Sequence, residues 1–321
     1  MTTRFIENPL RFGGHGKVKT IGLFLTMVAF GIIGFTVLNQ KGFPGSSDDV
    51  IRNNFLDKIK KQSSLKCNNI FQLWNNRKGI GCRFQKEEGK NTIALIGDSH
   101  AGHLFAGLTQ VTQEDEGVIV FSASCAAPFI DMMTGTRSDY NVRKYNWQAH
   151  REAYSYIFKH PEIKTVVLGH SPICSFNDVI DRQNPEEKDP RRMMENGIRR
   201  TFNALREADK KVLVVLDNPR LPFEPRSCVA RPFIKPRSGI YNRRVHDNDK
   251  PHTVYNEQIS RISEDYPNVS VIDLSSKLCD SKNCYAVKNG KLLYQDVGHL
   301  NNDGSLYVAP FIMQKIREIS K

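Results

Sequence analysis

"TIALIGDSHAGHL", Thr92–Leu104, is the stretch on which the reading of this chain turns. Thr92 to Gly97 is apolar or β-favouring and too short for a helix. Gly97-Asp98-Ser99-His100 follows at once, and "HAGHLFAGLTQV" then continues with helical spacing. A strand that is apolar throughout, entering a helix without a long loop, is one unit of a parallel sheet buried on both faces. Ser99 stands at the junction. A serine there can cap the helix by accepting from a free backbone N–H. The same position suits a nucleophile, because free amides nearby can stabilise an oxyanion.

Outward from this stretch the pattern repeats. Gly117–Ser124, Lys164–Gly169, Lys211–Asp217 and Asn268–Leu274 read as strands. Asn146–His160, Asp189–Asp209, "PHTVYNEQISRISEDY" and a last segment from Asp303 to Ile319 read as helices. The alternation predicts a doubly wound α/β domain with a parallel sheet of about five strands, which binds ligands beyond the C-terminal strand ends. The residues there are Gly97 to His100, Ser124-Cys125, Gly169-His170-Ser171 and Asp217-Asn218.

The N-terminal part is different in kind. Thr20–Gln40 carries no charge and contains "IGLFLTMVAFGIIGFTVL", long enough for a helix to span a bilayer. Arg4, Arg11, Lys17 and Lys19 precede it against one acid, Glu7, which places the N-terminus in the cytoplasm and the remainder outside. "TVLNQKGFPG" has no small-x-small cleavage site, so an uncleaved anchor is expected rather than a signal peptide. The expected organisation is a cytoplasmic tail (1–19), an anchor (20–40), a linker and short stalk helix (41–64) and a folded domain (65–321).

Composition supports one globular domain behind that anchor: 39% hydrophobic and 25% charged residues are ordinary for a packed fold. The net charge of +12 suits anionic lipid or glycan surfaces. No zinc-finger or RNA-binding signature accompanies it, so nucleic acid is not an expected partner. The seven cysteines all follow the anchor, in a compartment that permits disulfides. Cys279 and Cys284 are close enough to close a small loop, as are Cys67 and Cys82. Cys125 and Cys174 each follow a strand, and Cys228 is left over. Spacing alone does not set the connectivity. No closely spaced Cys or His pairs of zinc-ligand type occur, and no metal or cofactor is expected.

A serine nucleophile needs a base, and the base needs an acceptor to orient it. "LLYQDVGHLNNDGS" supplies Asp296 and His299 just before the last helix. In a tight turn a carboxylate three residues before a histidine can fold back onto one ring nitrogen, leaving the other for Ser99. Each motif alone is weak: Ser99 is also a plausible cap, and "NNDG" is also a plain surface turn.

Together, Gly97-Asp98-Ser99-His100 and Asp296-x-x-His299-Leu300-Asn301 resemble the SGNH (GDSL-like) hydrolase superfamily. The nearer resemblance is to the extracytoplasmic SGNH domains of membrane-bound O-acyltransferases that acetylate bacterial surface polysaccharides, over roughly Leu65 to Lys321. Cys125 and the Cys279/Cys284 pair correspond to cysteine features of those domains. The resemblance implies a flavodoxin-like three-layer sandwich, with Ser99 as nucleophile, His299 as base and Asp296 as its orienter. It also implies oxyanion donors from the Ser99 amide and from a Gly and an Asn in later blocks. Here the chain departs. "SASCAAP" after the second strand has no glycine, and after the third Gly169 is followed by Ser171, with Asn177 several residues later. One missing donor costs about 3 kcal/mol of barrier. Gly97, Asp98 and His100 flank the serine and complete the candidates for oxyanion or substrate contact.

The function expected is acyl transfer, with acetyl as the acyl group, from a donor to a cell-surface polysaccharide. Many relatives carry the SGNH domain behind a multi-span acyltransferase, so a separate partner of that kind is expected to bring the acyl group across the membrane. An extracytoplasmic carbohydrate or lipid esterase with the same triad is the alternative. A non-catalytic glycan-binding or docking module is the third. The loop with Arg220, Arg226, Arg231, Lys235, Arg237, Arg243 and Arg244 is either a solvated surface or a lip for acidic glycan or lipid headgroups.

Overall fold

The structure is a computed structural model that describes residues 7, 14, 16–39, 65–67, 71–74, 80–134, 140–175, 178–229 and 235–321. The chain divides into two units, Met1–Leu56 and Asp57–Lys321. The expected stalk helix at Val50–Gln62 and most of the 41–64 linker lie outside the described residues.

In the first unit, helix α1 (Gly16–Asn39) has 24 residues and no buried side chain. Its most apolar 18-residue stretch has a mean hydropathy of 2.4. At 1.5 Å per residue it is about 36 Å long, enough to cross the apolar core of a bilayer. Thr20, Thr26 and Thr36 donate their hydroxyls to the carbonyls of Gly16, Gly22 and Ile32. No polar side chain of these three is therefore left unpaired on an apolar surface.

The second unit is built on a seven-stranded sheet. Its strands are β1 (Leu65–Lys66), β2 (Ile80–Phe84), β3 (Ile93–Gly97), β4 (Val118–Ala123), β6 (Thr165–Gly169), β8 (Lys211–Leu216) and β10 (Val269–Asp273). The order is β1-β2-β4-β3-β6-β8-β10. From β4 to β10 every neighbour is parallel, the doubly wound arrangement expected. β2 was not expected: it pairs antiparallel with β4 and itself carries β1. The Cys67–Cys82 disulfide ties these two segments together and covers the free edge of β4. "GIGCRF" has too little apolar alternation to be read as a strand. Two short strands, β5 (Met132–Thr134) and β7 (Val179–Asp181), pair away from this sheet, as do β9 (Ile240–Asn242) and β11 (Asn283–Tyr285).

Residues alternate between the faces, as strand geometry requires. Ala94, Ile96, Ile119, Phe121, Val166, Leu168, Val212 and Val214 face one core. It is closed by α4 (Tyr140–Lys159), α5 (Pro190–Glu207) and α7 (Lys250–Ser263). Ile93, Leu95, Val118, Val120, Val167, Leu213 and Val215 face the other. Short helices α2 (Ser99–Gly102) and α3 (Phe105–Leu108) and the last helix, α9 (Asn302–Ile319), close that side. Helix α6 (Arg244–Asp247) precedes α7, and α8 (Ser275–Leu278) follows β10. The result is a three-layer sandwich whose strand ends gather the turns that carry Ser99, Cys125, Ser171 and Asp217.

Three disulfides join Cys67 to Cys82, Cys125 to Cys174 and Cys279 to Cys284. Cys228 is free and half-buried.

Candidate active site

β3 ends at Gly97, whose φ of +156° and surroundings exclude a side chain: a Cβ there would lie 1.8 Å from the Gly169 carbonyl oxygen. The turn can therefore lie flat against the end of β6. The cap of α2 is Asp98, not Ser99. Asp98 Oδ1 accepts from the His100 N–H at 2.8 Å. Its Oδ2 accepts from the Ser171 N–H at 3.0 Å and faces His170 Nδ1 at 2.9 Å. Burial pushes the Asp98 carboxyl up, but His170, through charge and hydrogen bond, brings it below the usual carboxylate range. With capping assigned to a buried carboxylate, Ser99 is left exposed on the first turn of the helix.

The partner turn is braced from three sides. Leu221 N–H donates to the Val297 carbonyl, Asn218 Nδ2 to the Gly298 carbonyl and Tyr294 Oη to the Pro219 carbonyl, each at 2.8 Å. Asp296 Oδ1 accepts the backbone N–H groups of Gly298 at 2.9 Å and His299 at 2.8 Å. Burial raises the Asp296 carboxyl, but these two N–H groups, with the charge and hydrogen bond of His299, outweigh it and leave it lowered. The His299 ring is held between its neighbours: Nδ1 lies 2.9 Å from Asp296 Oδ2, and Nε2 lies 2.8 Å from Ser99 Oγ. An ionised Asp296 can only accept, so Nδ1 carries the proton and Nε2 is free to accept from the serine. This is the geometry of a nucleophile, a base and an orienter.

Two further histidines stand behind His299. The His100 ring is 4.4 Å from the His299 ring, centroid to centroid, and that of His103 is 6.1 Å away. His103 Nδ1 accepts from the Leu300 N–H at 3.3 Å. Burial and the neighbouring His100 charge push His103 down to about 3. His100 has the opposite fate. Its Nδ1 lies 2.6 Å from Asp217 Oδ1, whose other oxygen is 3.0 Å from His252 Nε2. Burial alone would lower His100, but the Asp217 charge and hydrogen bond outweigh it and raise it to about 9. His252 Nδ1 is 3.1 Å from Asp249 Oδ2, at an angle unsuited to a hydrogen bond.

The other sequence candidates serve this frame. The Gly169 carbonyl accepts the Asp98 N–H at 3.4 Å. The Ser171 amide is occupied by Asp98. Asn177 lies outside the described residues, as does Arg231. Of the basic loop, Arg237 covers the Phe223 ring at 4.6 Å and Arg243 pairs with Asp247 at 3.4 Å, while Lys235 and Arg244 are exposed. Sequence reasoning noted Asp217 only as a strand-end residue and passed over His252, which sits within an ordinary amphipathic helix. Only the strand-end position of Asp217 pointed toward the site.

The family model for the SGNH domain (fused to AT3 domains) matches residues 66–314. Among solved structures, the chain is similar to the periplasmic domain of a lipopolysaccharide acetyltransferase from Salmonella ser. Paratyphi A. That match has 18% identity and a TM-score of 0.53, and it covers 72% of this chain and 85% of that one. A Bacteroides fragilis protein assigned as an acylhydrolase matches at 12% identity and a TM-score of 0.44, covering 74% of this chain and 90% of that one. No curated protein sequence matches.

Proposed function

The chain belongs to the SGNH domain family, and on that premise we propose that it is a membrane-anchored O-acyltransferase acting on a cell-surface polysaccharide, with acetyl as the acyl group. One observation carries this reading: the unbroken chain from Asp296 through both nitrogens of His299 to Ser99 Oγ. Ser99 Oγ attacks the donor carbonyl while His299 Nε2 takes the hydroxyl proton. The tetrahedral oxyanion forms beside the Ser99 amide. His299 returns the proton to the leaving group, and the acyl group remains as a serine ester. A sugar hydroxyl then loses its proton to His299, attacks that ester, and the proton passes back to Ser99. Asp296 holds the ring and offsets its transient positive charge.

The acyl choice rests on the Salmonella structure, named as a lipopolysaccharide acetyltransferase. Two features support the placement: α1 is long and apolar enough to span a membrane, and Arg4, Arg11, Lys17 and Lys19 precede its uncharged stretch. The N-terminus is then cytoplasmic and the SGNH domain periplasmic, where its disulfides are stable. The family model's fusion to AT3 domains supports a separate multi-span acyltransferase as the supplier of acyl groups.

A second reading, esterase, has its own support: Ser99 is exposed, so a serine-bound acyl group is open to water. An activated acyl ester offered to the protein with and without acceptor polysaccharide separates the two. Transfer that depends on the sugar supports the transferase. Equal release to water in both arms supports the esterase. Surface acylation unchanged in cells carrying Ser99→Ala defeats both. A reporter fused after residue 45 that is active in the cytoplasm overturns the topology.

A further inference from the structure

A second histidine–carboxylate array lies behind the first, and the mechanism above leaves it unused. His100 Nδ1, Asp217 and His252 Nε2 form a continuous line of contacts at 2.6 and 3.0 Å. All three side chains are almost fully enclosed. Asp217 also accepts the Asn218 N–H at 2.9 Å. A carboxylate this deeply buried needs a cationic partner. Among the described residues, only its histidines are hydrogen-bonded to it as potential cations. The other end of His100 faces the catalytic turn: a Cβ on Gly298 would lie 3.7 Å from His100 Nε2 and 3.9 Å from Asp296 Oδ1. No described residue hydrogen-bonds to His100 Nε2.

We propose that His100, clamped by Asp217 and backed by His252, is a positioning residue for His299: a fixed imidazolium packed on the base that holds its ring in place and sets a positive charge beside it. The inference rests on the reading of His299 as the base. Asp296 on one side of His299 favours a proton on the ring. A cation on the other side disfavours a second positive charge there. Between the two, the ring is fixed with Nε2 aimed at Ser99 Oγ. The groups facing His100 fit this role from each neighbouring element. Asp217 comes from the end of β8, Asp98 and His103 from its own turn and helix, and Asp296 and His299 from the turn before α9. His252 and Asp249 reach it from the α7 side through Asp217. Asp217 is held far below the usual carboxylate range despite burial, by the charges and hydrogen bonds of His100 and His252.

The test compares the wild-type protein with Asp217→Asn and His100→Gln. NMR titration of the His299 ring in each protein is paired with pH–rate profiles for a p-nitrophenyl acyl ester. Loss of the neighbouring cation should move both the His299 midpoint and the acid limb to higher pH by about one unit. His252→Asn leaves the direct clamp on His100 and should move them less. Should Asp217→Asn not fold, His100→Gln gives the same reading. An unchanged His299 midpoint in a folded variant overturns the inference. Failure of the triad reading shows separately, as ester turnover that survives Ser99→Ala. The ring titration decides the charge coupling whichever way that experiment falls.

Discussion

His299 Nε2 and Ser99 Oγ lie 2.8 Å apart across 200 positions of sequence. The contact joins the turn after the first parallel strand to the turn before the last helix. Neither turn could be oriented by local residues alone.

Ser99→Ala should abolish acyl transfer or hydrolysis, with kcat falling by about 10³-fold or more. Stability should stay within about 0.5 kcal/mol of wild type, because the serine is exposed and the helix cap belongs to Asp98. Turnover of an acyl ester and chemical denaturation check the two halves. A large loss of stability would contradict the assignment of the cap.

Asp98→Ala should act in the opposite sense, through the fold. It strips a buried carboxylate from His170 and from two backbone N–H groups, at a cost of about 3–5 kcal/mol. Urea midpoints at constant m give the measurement, and activity should fall with the loss of the Ser99 turn.

Asp296→Asn preserves the shape of the turn but presents an amide that can donate to His299 Nδ1, favouring the wrong tautomer. A drop in kcat of about 10³–10⁴-fold with little change in KM is expected. Steady-state kinetics with one activated ester distinguish this from lost binding, which would raise KM instead.

The His100–Asp217 pair makes stability depend on pH. His100 is raised from 6.5 to about 9. Its stabilisation is therefore fully present below the unfolded value and is lost as pH rises through about 9. The full span is worth about 3 kcal/mol. Melting temperature should fall between pH 6.5 and 9, and His100→Gln should flatten that part of the curve. Equal slopes in both proteins would show that the pair contributes nothing.

Replacing both Cys125 and Cys174 by serine removes a crosslink spanning 49 positions and should cost about 2–5 kcal/mol. It joins the turn after β4 to the segment after β6, both beside the candidate site. Denaturation midpoints of the two proteins without reductant give the measurement, and equal midpoints would exclude a stabilising role.

Much of the fold was legible in the chain. Apolar runs such as "IALIG" and "TVVLG" are fully buried, so they carry no polar face and read plainly as central parallel strands. β2 was hidden, because "GIGCRF" has few apolar positions and owes its strand form to β4 and a disulfide. At the site, Ser99, Asp296 and His299 stood out because chemistry limits which residue types can do their work. His252 did not, since a histidine on a helix has no local mark.

The sequence by itself determined the alternating α/β order, the apolar N-terminal helix and the two motifs that contain Ser99 and the Asp296–His299 pair. These follow from periodicity and from residue chemistry, which are local. Tertiary structure alone decided that Asp98 rather than Ser99 caps the helix, that Ser171's amide is already taken, and that Asp217 links His100 to His252 behind His299. Those outcomes depend on how buried polar groups from separate strands satisfy one another, and no stretch of chain specifies such pairings until the sheet has brought the strand ends together.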